Sequence, residues 1–497
     1  MIKPVKLLLL FLLPLYAQGQ SFTWTDNCLK SYAEALKLNF NTVQSIAQSE
    51  RKVNSGNLLI PYTESVTDFT RCFISESKAD LETLKKRNAA RINQLNAGKI
   101  KSPYTKMLAA EYNIQIAVAR LKFEEYLGAV YEIRKAFKLL EENKKLYPDF
   151  KPNDKGLGFI HVVVGGAPKN YQWILNLLGF SGTVKQGMKE LRDLLDASYK
   201  HKELSWLREE VIVMLTFFEM NLIRDKDDVN IRKRLNSIPD LEEKPLMLFA
   251  TCVYHFANSE NDSIIKLLGN RKANEEFHLH YLDYMEGMAR LNNMDFTAES
   301  CFKKYISGFK GMTFIKSTYQ RLAWCRLLQG DEAGYTLYIN LAGEKGEGTV
   351  FSDEDKQALK EFKDHVKPNI ILLKSRLLFD GGYYQRAISE IAGKPVADFP
   401  TLRDKLEFTY RLARIFDKTG KKEKAIIYYQ QTIDNGKNFH YYFAANSALQ
   451  MGILYEERSD KVNAEKYYKM CLDMRDHEYQ NSLDQKAKAG LIRITEK

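Results

Sequence analysis

Cysteine is scarce in this sequence. Only six cysteines occur in 497 residues, and no two of them are spaced as CxxC. These two features exclude a disulfide scaffold of this length and the common zinc and redox motifs. The sequence leaves open whether one or two disulfides form in an oxidising compartment, and it does not assign their partners. Cys301, Cys325 and Cys471 stand within apolar helical patterns, which favours small core residues.

Signatures of catalysis and metal binding are missing as well. The chain lacks HExxH, GxSxG, an EF-hand loop and a phosphate loop ending in GK[ST]. His278 and His280 are the nearest pair of histidines, and on a helix they would point about 200° apart. We therefore predict no catalytic residue, no metal and no cofactor. The function as an enzyme of unrecognised type is left as an alternative. It would require buried ionisable groups with perturbed pKa values near residues 156–187.

Long apolar runs and basic blocks are also absent. Beyond the N-terminal segment, no run of apolar residues approaches the length of roughly 18 that a membrane span requires. The net charge of +11 comes from 74 basic and 63 acidic residues that are mixed along the chain. Nucleic-acid binding is not expected without a basic stripe, and neither is stable membrane insertion of the mature chain. Weak attraction to an anionic envelope component stays open.

The N-terminus has the three parts of a secretory signal peptide. Lys3 and Lys6 precede an apolar run at 7–16, and residues 17–19 (AQG) supply small side chains for cleavage. The run is too short for a bilayer about 30 Å thick, which needs roughly 20 residues. We predict cleavage after about Gly19 and export to the periplasm or out of the cell. No cysteine lies near the cleavage site, so a lipid anchor is not expected.

Internal repetition indicates the fold. In the last third of the chain, second-helix alanines recur in phase at Ala387, Ala425 and Ala464. The two intervals between them are nearly equal, and both slightly exceed the period of about 34 residues of the tetratricopeptide (TPR) repeat. One helix pair cannot bury its apolar face alone, so pairs must stack. We predict an all-α protein of TPR-like helix–turn–helix repeats stacked into a superhelix, an α-solenoid.

The same pattern assigns the packing residues of each repeat. Two antiparallel helices approach closely where small residues face each other, and large residues one turn away fill the gap. The small first-helix residues are Ser375, Ala413 and Gly452, the turn residues are Gly382, Gly420 and Ser459, and the large second-helix residues are Ile391, Tyr429 and Tyr468. Weaker matches lie upstream at 117–136, at 287–305 and around Gly330.

The window 156–187 interrupts the repeats. It is rich in glycine and apolar residues, with three valines at 162–164 before the sequence GGAP. Periodicity does not separate a buried helix from a strand here. We interpret the window as two short apolar helices joined at GGAP and packed into the core, with a membrane dip as the alternative.

The window also carries a family resemblance. The residues concerned are Gly158, Pro168, the run 175–178 (LNLL), Gly179, Phe180, Ser181, Gly182, Gly187 and Leu191. Their spacing resembles an element of eukaryotic outer-membrane TPR proteins, namely tetratricopeptide repeat protein 39 and the fungal inclusion-body-clearance protein. The resemblance extends loosely from about Asn39 to the C-terminus and implies an all-helical adaptor without catalytic residues. The signal peptide departs from that family and puts its intracellular roles in doubt.

The predicted organisation has five parts. These are a signal peptide (1–19), a helical region with one TPR-like pair (20–155), the apolar Gly/Pro insert (156–187), degenerate repeats (188–365) and C-terminal TPR repeats (366–497). First-helix positions beside the small sites are expected to line a concave binding face. The candidates are Asn369, Arg376, Asp380, Glu407, Tyr410, Arg414, Asp417 and Asn446.

Arginine beside tyrosine suits a carboxylate, a peptide terminus or a sugar ring. We therefore predict a non-catalytic exported scaffold that binds a protein, a peptide or an envelope component. The alternative is a carbohydrate- or nutrient-binding component of an outer-membrane uptake system.

Overall fold

The computed structural model describes residues 20–98, 100–167, 179–222, 228–346 and 352–495. The predicted signal peptide at 1–19, Pro168 and the run 175–178 lie outside the described residues. The described part of the chain folds into 24 α-helices and no β-strand, with one isolated parallel bridge between Ser21 and Asn57. The predicted all-α fold class is confirmed.

The chain divides into two compact units. The first unit contains the described residues up to Thr251 together with Arg271–Leu279, and the second contains Cys252–Asn270 and the chain from His280 onward. The helices of the first unit are α1 (Asp26–Leu36), α2 (Phe40–Val53), α3 (Leu59–Ser75), α4 (Lys78–Ala97), α5 (Pro103–Lys122), α6 (Tyr126–Leu146), α7 (Asn153–Gly165), α8 (Val184–Lys200), α9 (Arg208–Leu222) and α10 (Asp228–Asn236). The boundary falls within α11 (Pro245–Ala257).

The second unit continues with helix pairs in chain order. Its helices are α12 (Asn261–Gly269), α13 (Tyr281–Asn292), α14 (Ala298–Gly308), α15 (Ile315–Leu328), α16 (Glu332–Glu344), α17 (Asp353–Asp364), α18 (Ile370–Asp380), α19 (Tyr384–Ile391), α20 (Leu402–Lys418), α21 (Lys422–Gly436), α22 (Phe443–Glu457), α23 (Lys461–Asp473) and α24 (Gln480–Thr495). From α13 onward the first helices are α13, α15, α18, α20 and α22: each packs on the helix that follows it, and successive first helices pack on each other. Helix α17 packs on α15 and α16, and α24 covers the last pair.

Hydroxyl side chains set the start of several helices. Thr25, Ser77 and Ser102 each accept a hydrogen bond from a backbone N–H in the first turn of α1, α4 and α5. Thr401 does the same at the start of α20. Such caps satisfy N–H groups that have no partner inside the helix, and each stabilises the helix by about 1 kcal/mol.

The C-terminal repeats form as the alanine spacing predicts. All three predicted turn residues have positive φ: +85° at Gly382, +76° at Gly420 and +61° at Ser459. A Cβ atom on Gly452 would lie 2.6 Å from the Tyr468 ring, so this first-helix position accepts only a very small residue. Tyr468 is fully buried, and burying a side chain of this size contributes roughly 1.5–3 kcal/mol. The weaker upstream matches also form pairs, as α5 with α6, α13 with α14 and α15 with α16.

The described part of the apolar window belongs to another helix pair. Residues 156–165 lie in α7 and residues 184–187 begin α8, and the two helices pack closely on each other. They cross at glycine: a Cβ on Gly187 would lie 2.4 Å from the carbonyl oxygen of Gly158, and a Cβ on Gly158 would lie 2.8 Å from Leu191. Three residues that carry the family resemblance therefore meet at one helix crossing. The segment between the helices, 168–178, lies outside the described residues.

None of the described helices is both long and apolar enough to cross a membrane. All six cysteines are free, so the structure contains none of the disulfides that the sequence left open. Cys325 and Cys471 are buried, and Cys301 is partly buried.

Candidate binding groove in the second unit

A groove of about 600 Å³ runs across the first helices of the second unit. Trp324 of α15, Arg376 of α18 and Glu407 of α20 line it, together with α17 and the loops that precede α22 and α24. Its volume lies within the range of roughly 300–1,000 Å³ that is typical of ligand sites. The small first-helix residues face the second helices, which leaves longer side chains of the first helices to form the groove wall.

Glu407 is the charged centre of the groove floor. Its carboxylate accepts hydrogen bonds from Arg411 at 2.9 and 3.1 Å. Burial acts to raise the pKa of Glu407, but the charges of Arg411, Arg403 and Arg376 outweigh it, and the pKa is lowered. The floor therefore holds one ionised carboxylate among three guanidinium groups.

Arg403 differs from its neighbours on the floor. Its pKa is raised, because the nearby acids Glu407 and Glu478 outweigh the lowering by burial. Its guanidinium nevertheless makes no hydrogen bond or ion pair with any other residue in the described ranges. Arg376, by contrast, contacts Gln357 at 3.3 Å, pairs with Asp380 at 3.7 Å and lies over the Trp324 ring at 5.3 Å. Arg403 thus presents unused N–H donors to the groove.

Trp324 and Glu361 form the wall on the α15 and α17 side. Glu361 accepts hydrogen bonds from Trp324 Nε1 at 3.0 Å, from Gln320 Nε2 at 2.6 Å and from the Tyr335 hydroxyl at 3.1 Å. Burial raises the pKa of Glu361 in spite of these donors. Three donors from two helices hold the carboxylate in place, and Glu361 in turn fixes the buried indole ring beneath the groove.

Aromatic side chains form the opposite end of the groove. The ring centroids of Tyr442 and Tyr479 are 5.3 Å apart in an edge-to-face arrangement, and those of His440 and Tyr441 are 4.2 Å apart. His440 and Tyr479 are exposed, whereas Tyr441 and Tyr442 are half-buried. Rings with one exposed face and one packed face favour binding to apolar or planar groups of a partner.

Acidic residues outnumber lysine and arginine in the groove lining as a whole. The six acidic residues are Asp353, Glu354, Glu361, Asp364, Glu407 and Glu478, and the three basic residues are Lys360, Arg376 and Arg403. Asp353, Glu354 and Asp364 are exposed along α17. The groove therefore has an acidic surplus in a chain whose net charge is +11.

The eight residues predicted from the sequence fall into two sets. Asn369, Arg376 and Glu407 line the groove. Asn369 also caps α18, where its side chain accepts from the backbone of Ile371 and Leu372. Asp380 pairs with Arg376 at the surface, outside the groove lining.

The other four predicted residues make contacts between helices and do not line the groove. Asn446 donates to the Tyr410 hydroxyl at 2.9 Å, across successive first helices. Asp417 accepts from Lys422 at 2.6 Å and from the Tyr429 hydroxyl at 3.1 Å. Arg414 lies over the Phe379 ring at 5.4 Å.

Sequence reasoning missed most of the remaining lining. The run HYYF at 440–443 carries a visible signal, since three adjacent aromatic residues follow a histidine just before a first helix. Trp324, Glu361 and Arg403 give no such signal. They come from three different helices, and only the stacking of the pairs brings them together.

One geometric argument from the sequence is wrong. His278 and His280 lie in the loop before α13, so the opposite orientation expected of a helix does not apply to them. Within the second unit, His280 lies 3.4 Å from Asp283, and Asp283 also pairs with Lys304 at 3.1 Å. Lys304 thus balances the charge of the Asp283 carboxylate within the second unit.

A second cluster of ionisable groups lies in the core of the first unit. Lys155 Nζ is 2.7 Å from Glu111 and 2.9 Å from Glu210, and it donates to the Tyr62 hydroxyl at 3.0 Å. The Tyr32 hydroxyl also donates to Glu210. Burial alone would lower the pKa of Lys155, but the two carboxylates raise it; burial raises the pKa of Glu111 despite Lys155.

The hypothesis that the protein is an enzyme requires buried ionisable groups with perturbed pKa values near residues 156–187. The Lys155 cluster consists of such groups and lies next to Gly156. However, Lys155 and Tyr32 are 1% exposed and Tyr62 is 0% exposed. A substrate therefore has no access to the ammonium group in this conformation. The cluster joins α1, α3, α5, α7 and α9, and this is the role that its geometry supports.

Comparisons with known proteins identify no family. No protein-family model and no curated protein matches the chain. Similar solved structures include Cut9 in the APC/C hetero-tetramer Cut9–Hcn1, at 11% identity over 93% of this chain and 95% of that chain with a TM-score of 0.22. Yeast Tom70 is similar at 10% identity over 94% of this chain and 96% of that chain with a TM-score of 0.23. Scores this low carry no argument, so the TPR-like fold rests on the helix pairs themselves, and the resemblance to the tetratricopeptide repeat protein 39 family stays a prediction.

Proposed function

We propose that this protein is an exported, non-catalytic TPR-like scaffold that binds a protein partner through the groove of its second unit. The observation that carries this proposal is the lining of the groove. Arg403 presents unused hydrogen-bond donors there, beside exposed carboxylates of α17 and a partly exposed aromatic end.

The chemistry of the lining favours binding over catalysis. Glu361 accepts hydrogen bonds from Trp324, Gln320 and Tyr335, and Oε1 of Glu407 accepts two from Arg411. A general acid or base must reach the proton of a substrate, whereas both of these carboxylates are engaged by donors of the protein itself. Aromatic and arginine side chains with exposed faces are the residue types that contribute most to protein interfaces.

Photo-cross-linking tests the groove as the binding surface. A photoreactive phenylalanine analogue replaces Tyr479 in the groove and, as the control, Val462 on α23, which is 79% exposed and lies outside the groove lining. In cells of the native host, the Tyr479 variant is expected to give a discrete adduct with one protein and the Val462 variant none. The same adduct from both positions, or an adduct with neither, would contradict the proposal.

Export is tested separately. Intact-mass measurement of the protein purified from its host is expected to give a chain that begins near Gln20, recovered from the periplasmic or secreted fraction. Full-length protein in the cytoplasm would refute export. That result would leave the groove and its partner to be judged by the cross-linking.

A further inference from the structure

We infer that the occupant of the groove is an extended peptide segment that carries lysine or arginine beside apolar or aromatic residues. This inference rests on the proposed function and deepens it. It combines the charge of the groove rim, the unused donors of Arg403 and the aromatic end.

The charge balance favours a cationic occupant. The chain as a whole has more basic than acidic residues, 74 against 63, whereas the groove is lined by six acidic and three basic residues. Complementary charge guides a partner to its site and disfavours partners of the wrong sign. The exposed acidic rim on α17, in a protein that is basic overall, therefore favours a basic segment.

Exposed rim carboxylates are available for such a segment. Within the described ranges, Asp353 and Asp364 pair only with lysines of their own helix, Lys356 at 3.0 Å and Lys360 at 2.6 Å. Exposed pairs of this kind are weak and are exchanged easily. Glu354 forms no ion pair with any other residue that the structure describes. A lysine or arginine of the partner can therefore take these positions at little cost.

Arg403 sets the second requirement on the occupant. A guanidinium group has five N–H donors and no acceptor, and an enclosed donor without a partner is unfavourable. The occupant must therefore bring oxygen atoms to the floor while it brings cations to the rim. The main-chain carbonyl groups of an extended peptide supply acceptors at regular intervals between basic side chains, which meets both requirements.

The aromatic end sets the third requirement. Tyr479 is 42% exposed and packs edge-to-face on Tyr442. These rings offer apolar surface that is covered favourably by an aliphatic or aromatic side chain, or by the stem of a lysine or arginine. The inferred segment therefore places an apolar residue next to its cations.

Defined peptide pools provide the test. Three pools of labelled decapeptides contain leucine and tyrosine together with lysine and arginine, with aspartate and glutamate, or with glutamine and serine. Fluorescence anisotropy with the mature chain measures the affinity for each pool. The basic pool is expected to bind about tenfold or more tightly than the acidic pool, with the difference shrinking as salt is added.

Two variants separate the contributions of rim and floor. D353N/E354Q is expected to weaken binding of the basic pool about fivefold, whereas the matched control E423Q/E465Q, with the same change of charge on second helices outside the groove lining, is expected to leave it unchanged. R403Q removes a cation, so charge alone predicts tighter binding of a basic peptide. Loss of hydrogen-bond donors predicts weaker binding, which is the expected result. Unchanged thermal melting shows that each variant is folded.

The outcomes distinguish this inference from the proposed function. Equal affinity for the basic and acidic pools, or equal effects of the rim variant and its control, would overturn the basic-peptide inference. Binding of neutral oligosaccharides in place of all three pools would overturn it as well. In either case a protein adduct at Tyr479 would still support the proposed function, and its absence would count against both.

Discussion

Replacing Lys155 with methionine removes the cation that lies between Glu111 and Glu210 and keeps the aliphatic stem. Lys155 and Glu111 are 1% and 4% exposed, so water does not readily replace the lost ammonium group. Removing one partner of a buried ion pair costs about 3–5 kcal/mol, because the remaining charge is left without compensation. We expect the free energy of unfolding of the first unit to fall by about this amount at pH 7.

The loss should depend on pH in a defined direction. Burial raises the folded-state pKa of Glu111 above its usual value of 4.5, although Lys155 acts against it. A carboxyl group with a raised pKa disfavours the folded state increasingly as the pH rises from its unfolded to its folded pKa. Without Lys155 that pKa rises further, so the deficit of the variant should grow as the pH rises from the folded pKa of Glu111 in the wild type to that in the variant, by up to about 1.4 kcal/mol per pH unit. The pKa of Lys155 is raised, so its own contribution is fully present below about pH 10 and does not change from pH 5 to pH 8.

Hydrogen exchange followed by mass spectrometry measures the effect locally, from peptides of α5 and α7. The triple variant K155M/E111Q/E210Q removes all three charges and should recover most of the loss, because neutral groups do not need the ammonium group. A deficit below about 1 kcal/mol, or a deficit that does not change between pH 5 and pH 8, would refute the reasoning. A triple variant less stable than the single one would do so too.

Two further predictions concern packing and charge elsewhere in the fold. Gly187→Ala would place a Cβ 2.4 Å from the Gly158 carbonyl oxygen, so α7 and α8 must separate; we expect a loss of about 1–3 kcal/mol in thermal unfolding. Gly269→Ala, which meets no atom within 4 Å, is the control and should cause no loss. Arg411→Met leaves Glu407 without its closest partner and should cost about 3–5 kcal/mol at pH 7 in urea unfolding, with most of it recovered by E407Q/R411M. The arginines lower the pKa of Glu407 against the effect of burial, so the stability they provide is present above about pH 4.5 and is lost as the pH falls through the folded pKa. The single variant and the wild type should therefore converge in acid, and a constant difference would contradict this.

The helix pairs could be predicted because their determinants are local. A turn residue with positive φ and two small residues within one repeat define a pair, and Gly382 and Gly420 are recognisable as turns from the sequence alone. The pair formed by α7 and α8 could not be predicted, for the opposite reason. Helix α7 is buried on nearly all sides among other helices, so its sequence has no amphipathic period. Its crossing with α8 depends on Gly158 and Gly187, which stand far apart along the chain.

The Lys155 cluster could not be predicted from any pattern in the sequence. Its charged members stand at positions 111, 155 and 210 and come from three different helices. Around each of these residues the local sequence predicts an ordinary, solvent-exposed helix position. Only the packing of the first unit turns them into a buried group, so neither their pKa shifts nor their contribution to stability is visible before the helices are assembled.

The groove illustrates how stacking selects binding residues among equivalent repeat positions. Tyr410 and Asn446 lie on successive first helices. Because these helices are direct neighbours, Asn446 donates a hydrogen bond to the Tyr410 hydroxyl. Arg376 and Arg403 remain at the groove because the stack there meets α17 and two loops, which provide aromatic rings and carboxylates at a distance. A first-helix residue is therefore available to a partner where other elements, here α17 and the two loops, leave a groove beside it. That condition depends on the adjacent repeat, and the spacing within one repeat cannot reveal it.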